Sequence, residues 1–342
     1  MLTLFCASCA KRDRYISFSG YAQGGTYTVK LNLMGVSEKP EIIRDSVDAL
    51  LRQIDYSLSG YNKNSILSRF NAGDRVIPDS LFLDIYSYAC DIYDLTEGMV
   101  DVAAGPLFDI WGFGFKNGEI PDDKMVSEIV ASSGLKRLKT DMGAAFFHDG
   151  SLSAESLLRE ESVGSALPKL NYNAIAQGYS CDVVARYLYS LGVKDMMVDI
   201  GEIFCDGLNP NGKPWTLGID RPVDGNNELG ADVQVIFHVP SGPHGVVTSG
   251  NYRKFYVRGG KKYAHTINPL TGYPVDHSLL SATIIAPDAT LADAYATYCM
   301  VIGLERAQTF IESHSDLEGC LIYDDNGVFA SWFSSGFSTL TQ

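Results

Sequence analysis

Two short segments of this chain carry residue types that can do chemistry together. The first runs His265-Thr266-Ile267-Asn268-Pro269-Leu270-Thr271-Gly272, and the second is Asp293-Ala294-Tyr295-Ala296-Thr297. Histidine is the side chain that most readily exchanges a proton near neutral pH. Asp293 and Thr297 are four residues apart, which on a helix puts a carboxylate and a hydroxyl on one face. That pair suits Mg2+, which takes oxygen ligands and keeps part of its shell for waters and substrate phosphates. A hard cation beside an acid–base group is the chemistry of phosphate esters and pyrophosphates. Each signal alone has a plainer reading. An Asp early in a helix is favoured by the macrodipole, and a lone histidine is more often a surface or satisfied core residue than a catalyst.

Other segments add candidates. Asn171-Tyr172-Asn173-Ala174-Ile175-Ala176-Gln177-Gly178-Tyr179 reads as a strand-to-helix junction. There Gly178 would let the backbone approach a ligand, and the helix N-terminus would attract an anion. The backbone amides of Thr271 and Gly272 are placed to cradle phosphate oxygens. Thr248-Ser249-Gly250-Asn251-Tyr252 lacks the G-x-S-x-G frame of a serine nucleophile. Neither a P-loop nor a dinucleotide-binding GxGxxG is present, so a bound nucleotide would not sit in a Rossmann unit.

These residues need elements to position them. Tyr15 to Leu33 alternates around Gly24-Gly25 and predicts strands, and Glu41 to Leu58 carries a helical stripe of Ile42, Ile43, Val47, Leu50, Leu51 and Ile54. Leu81 to Leu95 predicts a second amphipathic helix, broken by Thr96-Glu97-Gly98. Met99 to Gly114 is marked by Gly and Pro, and residues 116–135 read as polar and peripheral. Tyr179 to Leu191 predicts a helix. Strand-like runs follow at Met196–Cys205, Trp215–Ile219, Val233–Val239 and Val246–Ser249. Lys254–Val257 and Lys262–Thr266 flank Gly259-Gly260 as a hairpin. Leu280–Ala286 predicts a strand and Ala289–Ile302 a helix ended by Gly303. A short helix and a hairpin at Asn326-Gly327 close the chain. Helices and antiparallel strands are mixed without strict alternation, so the expected class is α+β.

At 342 residues the chain can bury a large core in one domain or two. Its 19 Tyr and 16 Phe suit a sheet-rich or pocket-rich protein. The net charge of −14 argues against a nucleic-acid binder. A phosphate-bearing ligand remains compatible, because a bound cation reverses the local field. Seven scattered cysteines form neither a disulfide framework nor a zinc spacing. Leu2 to Cys9 is a short apolar run ending in small residues and a cysteine, too short to span a membrane. It resembles the end of a bacterial lipoprotein signal with Cys9 as the acylated residue. The expected organisation is therefore a tether over 1–14 and one domain over 15–342, in a periplasmic, membrane-anchored lipoprotein.

Taken together and in order, these segments resemble the ApbE family, the FAD:protein FMN transferases. The resemblance covers about Gly20 to Gly303. Gly24-Gly25-Thr26-Tyr27 resembles the family's first strand motif, and Ser59-Gly60-Tyr61 with Ser65, Arg69, Phe70 and Asn71 its next block. Asp101-Val102-Ala103-Ala104-Gly105-Pro106-Leu107 through Trp111-Gly112-Phe113-Gly114 is similar to its GPL and WGFG motif. Ala174 to Tyr179, Ser249 to Tyr252, His265 to Gly272 and Ala292 to Thr297 complete the set.

The resemblance implies an ApbE-like, T-fold-like α+β architecture. It implies FAD as substrate, one or two Mg2+ ions at its pyrophosphate, and transfer of FMN to a Thr or Ser hydroxyl of an acceptor protein with release of AMP. The acceptors would be flavoprotein subunits of electron-transfer complexes. By position, Asp293, Thr297 and the Ala174 carbonyl would hold metal. Gln23, Tyr61, Asp101, Val102, Ala103, Asn171, Gln177 and Ile267 would line the FAD site, and His265 would be the acid–base residue. Five departures stand out. Gln23 replaces a frequent Met, Asn171 and Asn268 each replace an Asp, and Ala296 replaces an acidic residue of some members, which bears on a second metal. Around Asp199-Ile200-Gly201-Glu202 a Gly-Gly pair becomes a single Gly. Two alternatives share the same site: an FAD pyrophosphatase yielding AMP and FMN, and an FAD-binding lipoprotein without turnover.

Overall fold

A computed structural model describes residues 14–113, 120–138, 169–223, 230, 232–251, 255–258 and 261–341. Cys6, Cys9, Gly114 and Tyr252 lie outside the described residues. The frame is an eight-stranded, wholly antiparallel sheet. Its strands are β1 (Tyr15–Ala22), β2 (Gly25–Asn32), β3 (Met196–Asp199), β4 (Ile203–Asp206), β7 (His244–Gly250), β10 (Leu279–Ala286), β11 (Glu318–Asp325) and β12 (Val328–Phe333), in that spatial order. Two hairpins stand apart: β5 (Thr216–Asp220) with β6 (Val233–His238), and β8 (Phe255–Arg258) with β9 (Lys261–Ala264). The class is α+β, as expected.

The helices are α1 (Pro40–Leu58), α2 (Ile66–Asn71), α3 (Ser80–Leu95), α4 (Gly105–Ile110), α5 (Asp123–Ser132), α6 (Ala176–Ser190), α7 (Ala289–Ile302) and α8 (Leu304–Glu312). In α1 the 3.6-residue period buries Ile43, Val47, Leu51, Ile54 and Leu58 on one face. α6 lies on β3 and β4, and α7 on β7 and β10. Along β10 the pleat divides the side chains. Ala282, Ile284 and Ala286 pack with α7, while Ile285 joins a second core under β5 and β6 with Trp215, Phe237 and Phe337. A strand buried on both faces reads as a continuous apolar run, which is how Leu280 to Ala286 reads. Among the described residues no helix is long and apolar enough to cross a membrane.

Three local expectations need correction. Met196 to Cys205 is not one strand but β3 and β4, joined by a turn at Ile200-Gly201-Glu202 with Gly201 at φ +92°. Among the described residues no strand leads into α6: Leu170 to Ile175 turns onto it through Asn171, whose N–H donates to the Val102 carbonyl at 2.7 Å. The segment read as peripheral contains α5, whose Val126 is buried in a cluster with Leu107, Trp111 and Ile267. Val126, Ile129 and Val130 recur there at helical spacing between polar residues, and they seat the helix on that cluster.

Candidate active site

A cleft of about 190 Å3 opens between α7, the turn into α6, the chain from Met99 to Ala104, and the turn after β9. Tyr61, Asp101, Val102, Asn171, Ala174, His265, Ile267 and Thr297 all line it. Of the residues singled out by sequence, Gln23, Ala103, Gln177 and Asp293 do not. Phe108 and Phe113 add aromatic surface, and the Phe113 ring meets the His265 ring edge-on at 6.4 Å between centroids. Met300 and Val301 were not foreseen, although both follow Thr297 at helical spacing on the face toward the cleft.

The wall behind Thr297 is built by an exchange between α6 and α7. Asp182 of α6 accepts from the N–H groups of Ala289 and Thr290 at 2.9 and 2.8 Å and from the Thr290 hydroxyl. It thereby satisfies donors that the start of α7 leaves open. In return Asp293 of α7 accepts from the Gly178 N–H of α6 at 3.2 Å. The helices can come this close because residue 178 is glycine: a Cβ there would lie 2.2 Å from the Ala289 carbonyl oxygen. The expected role of Gly178, close backbone approach to a ligand, thus becomes close approach of two helices. Asp182 escaped the sequence reading. Its one signal is a carboxylate inside the apolar stripe Cys181-Asp182-Val183-Val184.

This exchange has a consequence for Ala174. An α-helical pattern would send the Gly178 N–H to the Ala174 carbonyl, four residues back. Asp293 takes that proton instead, and among the described residues no N–H reaches the Ala174 oxygen. The cleft-lining carbonyl is left with its lone pairs available. Asp293 is itself a buried carboxylate with that single hydrogen bond and no ion-pair partner among the described residues. Burial, with Asp182 nearby, pushes its carboxyl up to about 7. Burial likewise raises Asp101 and Asp182 to about 6.

No group of three His, Cys, Asp or Glu side chains that could cage a metal occurs among the described residues. The Thr297 hydroxyl and the open Ala174 carbonyl line the cleft, and the Asp293 carboxylate is buried one helical turn before Thr297. They suit an ion such as Mg2+ that completes its shell with water and ligand phosphate. The positive charge of such an ion is what the buried Asp293 lacks.

The turn that carries His265 is braced from below. Asn268 Oδ1 accepts from the N–H groups of Leu270 and Thr271 at 2.9 and 3.2 Å, and the Gly272 N–H donates to the Asn268 carbonyl at 2.8 Å. The Thr271 and Gly272 amides are therefore spent within the turn and do not form the expected phosphate cradle. Gly272, at φ +81°, rests on Val126 and Val130 of α5, and its carbonyl accepts from the Trp111 Nε1–H at 2.7 Å.

The remaining residues have local tasks. Gln23 takes a positive φ of 51° in the β1–β2 turn and donates to the Ser180 hydroxyl. The Gln177 side chain donates to the Ile200 carbonyl at 3.1 Å and covers Gly201. The Ala103 N–H donates to Asp101 at 2.8 Å, and Asp101 also takes the Leu135 N–H. Asn171 Oδ1 accepts from the Asn173 N–H at 2.9 Å. The turns at Asn171 and Asn268 use the side-chain oxygen that Asp would also supply, so the lost charge leaves the backbone unchanged. Ala296 packs in the core between α7 and the sheet rather than lining the cleft.

A family model described as the ApbE family matches residues 23–321. The chain is 31% identical over 351 residues to the protein named FAD:protein FMN transferase in Haemophilus influenzae, covering 100% of this chain and 96% of that one. The structure of flavin transferase ApbE from Vibrio cholerae superposes with a TM-score of 0.76 at 30% identity, covering 96% of this chain and 99% of that one. The apo form of Pseudomonas stutzeri flavinyl transferase ApbE gives 0.79 at 28% identity, covering 96% and 97%.

Proposed function

This chain belongs to the ApbE family, and from that membership we propose that it is an FAD:protein FMN transferase. Its FAD would lie in the cleft between His265 and α7. The observation that carries this reading is the convergence of His265, Thr297, Ala174 and the aromatic side chains Tyr61, Phe108 and Phe113 on one cavity. Aromatic faces suit a flavin ring. The open Ala174 carbonyl, the Thr297 hydroxyl and the Asp293 carboxylate would hold Mg2+. That ion would neutralise charge on the pyrophosphate.

The reaction we propose is a displacement at the FMN-side phosphorus. A Thr or Ser hydroxyl oxygen of the acceptor forms the new P–O bond. The bond to the bridging oxygen breaks, AMP leaves with its electron pair, and His265 takes the hydroxyl proton. The acceptor, by the family resemblance, is a flavin-carrying subunit of an electron-transfer complex. The short apolar run ending at Cys9 supports a lipid-anchored protein in the periplasm.

The test separates transfer from hydrolysis. With FAD, Mg2+ and an acceptor, AMP and acceptor-bound FMN should appear in equal amounts. With the acceptor omitted, AMP release should fall to a slow background. Equally fast AMP release without acceptor makes the protein an FAD pyrophosphatase instead.

A further inference from the structure

A Ser or Thr hydroxyl inside a helix commonly bonds back to the carbonyl four residues earlier. Ser127, Ser132, Ser180 and Thr309 do so here, at 2.6–3.0 Å. Thr297 does not. Among the described residues its Oγ1 has one hydrogen-bond partner, Ser249 Oγ at 3.4 Å. The register of β7 against β10 brings Ser249 there, opposite Ala282. Along β7, Val246 faces the second core while Val247 and Ser249 face α7. Ser249 and Thr297 both line the cleft, with Ala174 on its wall.

We infer that Ser249 is a positioning residue for Thr297 and, through it, for the cation. Of the two directions open to this contact, the one assigned has the Thr297 O–H donating to Ser249 Oγ. The Thr297 oxygen then stays turned into the cleft, where its lone pairs serve the ion, rather than folding back on the Asp293 carbonyl. The Ser249 proton is left for an acceptor in the cleft, which a ligand phosphate oxygen supplies. Ser249 thus gains a task that is not nucleophilic, in keeping with its lack of a nucleophile frame. The inference rests on the Mg2+ reading proposed for this site.

The test is a Mg2+ titration without FAD, read by melting temperature and by calorimetry, on wild type, Ser249→Ala and Ser249→Thr. The expected result is a tenfold or greater rise in the Mg2+ concentration for half-maximal effect in Ser249→Ala, the scale on which partners of metal ligands act, about 10–100-fold. Melting in EDTA should match wild type, and Ser249→Thr should restore the affinity. Ser249→Cys keeps the shape with a much weaker hydrogen bond, and gives the same readout if Ser249→Ala does not fold. A wild-type Mg2+ response with an unchanged midpoint in Ser249→Ala overturns the assignment alone. No wild-type response overturns the metal reading and this inference together.

Discussion

His265 lines the cleft at the start of a turn that other residues brace. Asn268, Trp111 and α5 hold that turn. Removing the imidazole should therefore spare binding and strike the chemical step. His265→Asn should lower kcat by about 10²–10⁴-fold, the usual worth of a positioned acid–base group, with FAD affinity measured by fluorescence unchanged. An undiminished kcat would remove His265 from the mechanism. Tyr172 offers a stability test. Its phenol oxygen is buried without a hydrogen-bond partner among the described residues. A buried polar group left unmade costs about 1–3 kcal/mol. Tyr172→Phe should therefore be neutral or more stable in urea unfolding, and a loss above about 1 kcal/mol would contradict the absence of a partner. At this scale type and spacing made His265, Asp293 and Thr297 candidates, and the family resemblance gave them their expected roles. Sequence reading missed Asp182 and the task of Ser249, because those depend on which helix or strand lies opposite, and linear spacing carries no such information.

The α6–α7 pair is the element on which the site depends. Residue 178 leaves no room for a side chain, since a Cβ would meet the Ala289 carbonyl at 2.2 Å and the Asp293 Cβ at 3.0 Å. Gly178→Ala must push the helices apart and break the Gly178–Asp293 hydrogen bond. Overpacking of this kind costs about 1–3 kcal/mol or more. The Mg2+ effect on melting should weaken together with the stability. A variant that melts and binds as wild type would show that the helices are not in contact as described. Helix α7 was legible to the residue, from Ala289 to Ile302, with Gly303 as its end; in the structure Asp288 caps it and Gly303 takes φ +79°. The start of α6 was not, because Asp293 and not a local residue receives the Gly178 amide.

Across the whole molecule, buried carboxylates make stability depend on pH. Asp101 and Asp182 rise from the ordinary 3.8 to about 6, and Asp293 to about 7. In the unfolded chain they ionise near 3.8, so between that pH and about 7 the folded state holds more protons. Their contribution is fully present below about 4 and is lost as pH rises through 6 to 7. In EDTA the protein should melt lower at pH 8 than at pH 5.5, with Mg2+ narrowing the gap at pH 8. A higher melt at pH 8 in EDTA would contradict the burial of these groups. The α+β class, the long helices α1, α3 and α7 and most strands were legible from periodicity, whereas α2, α4, α5 and the split of β3 from β4 were not. The sheet order was not, because pairings such as β4 with β7 join strands far apart in sequence, and local alternation says nothing about partners. On the proposed function, His265 and the α6–α7 face form one flavin-transferring site. The most direct test of that claim is the mass of a purified acceptor subunit after incubation with FAD, Mg2+ and either wild type or Asp293→Asn. The expected result is a gain of one FMN with wild type, slower by at least about 100-fold with Asp293→Asn, since a catalytic ion contributes several kcal/mol. No gain with wild type, or an equal gain with Asp293→Asn, would contradict it.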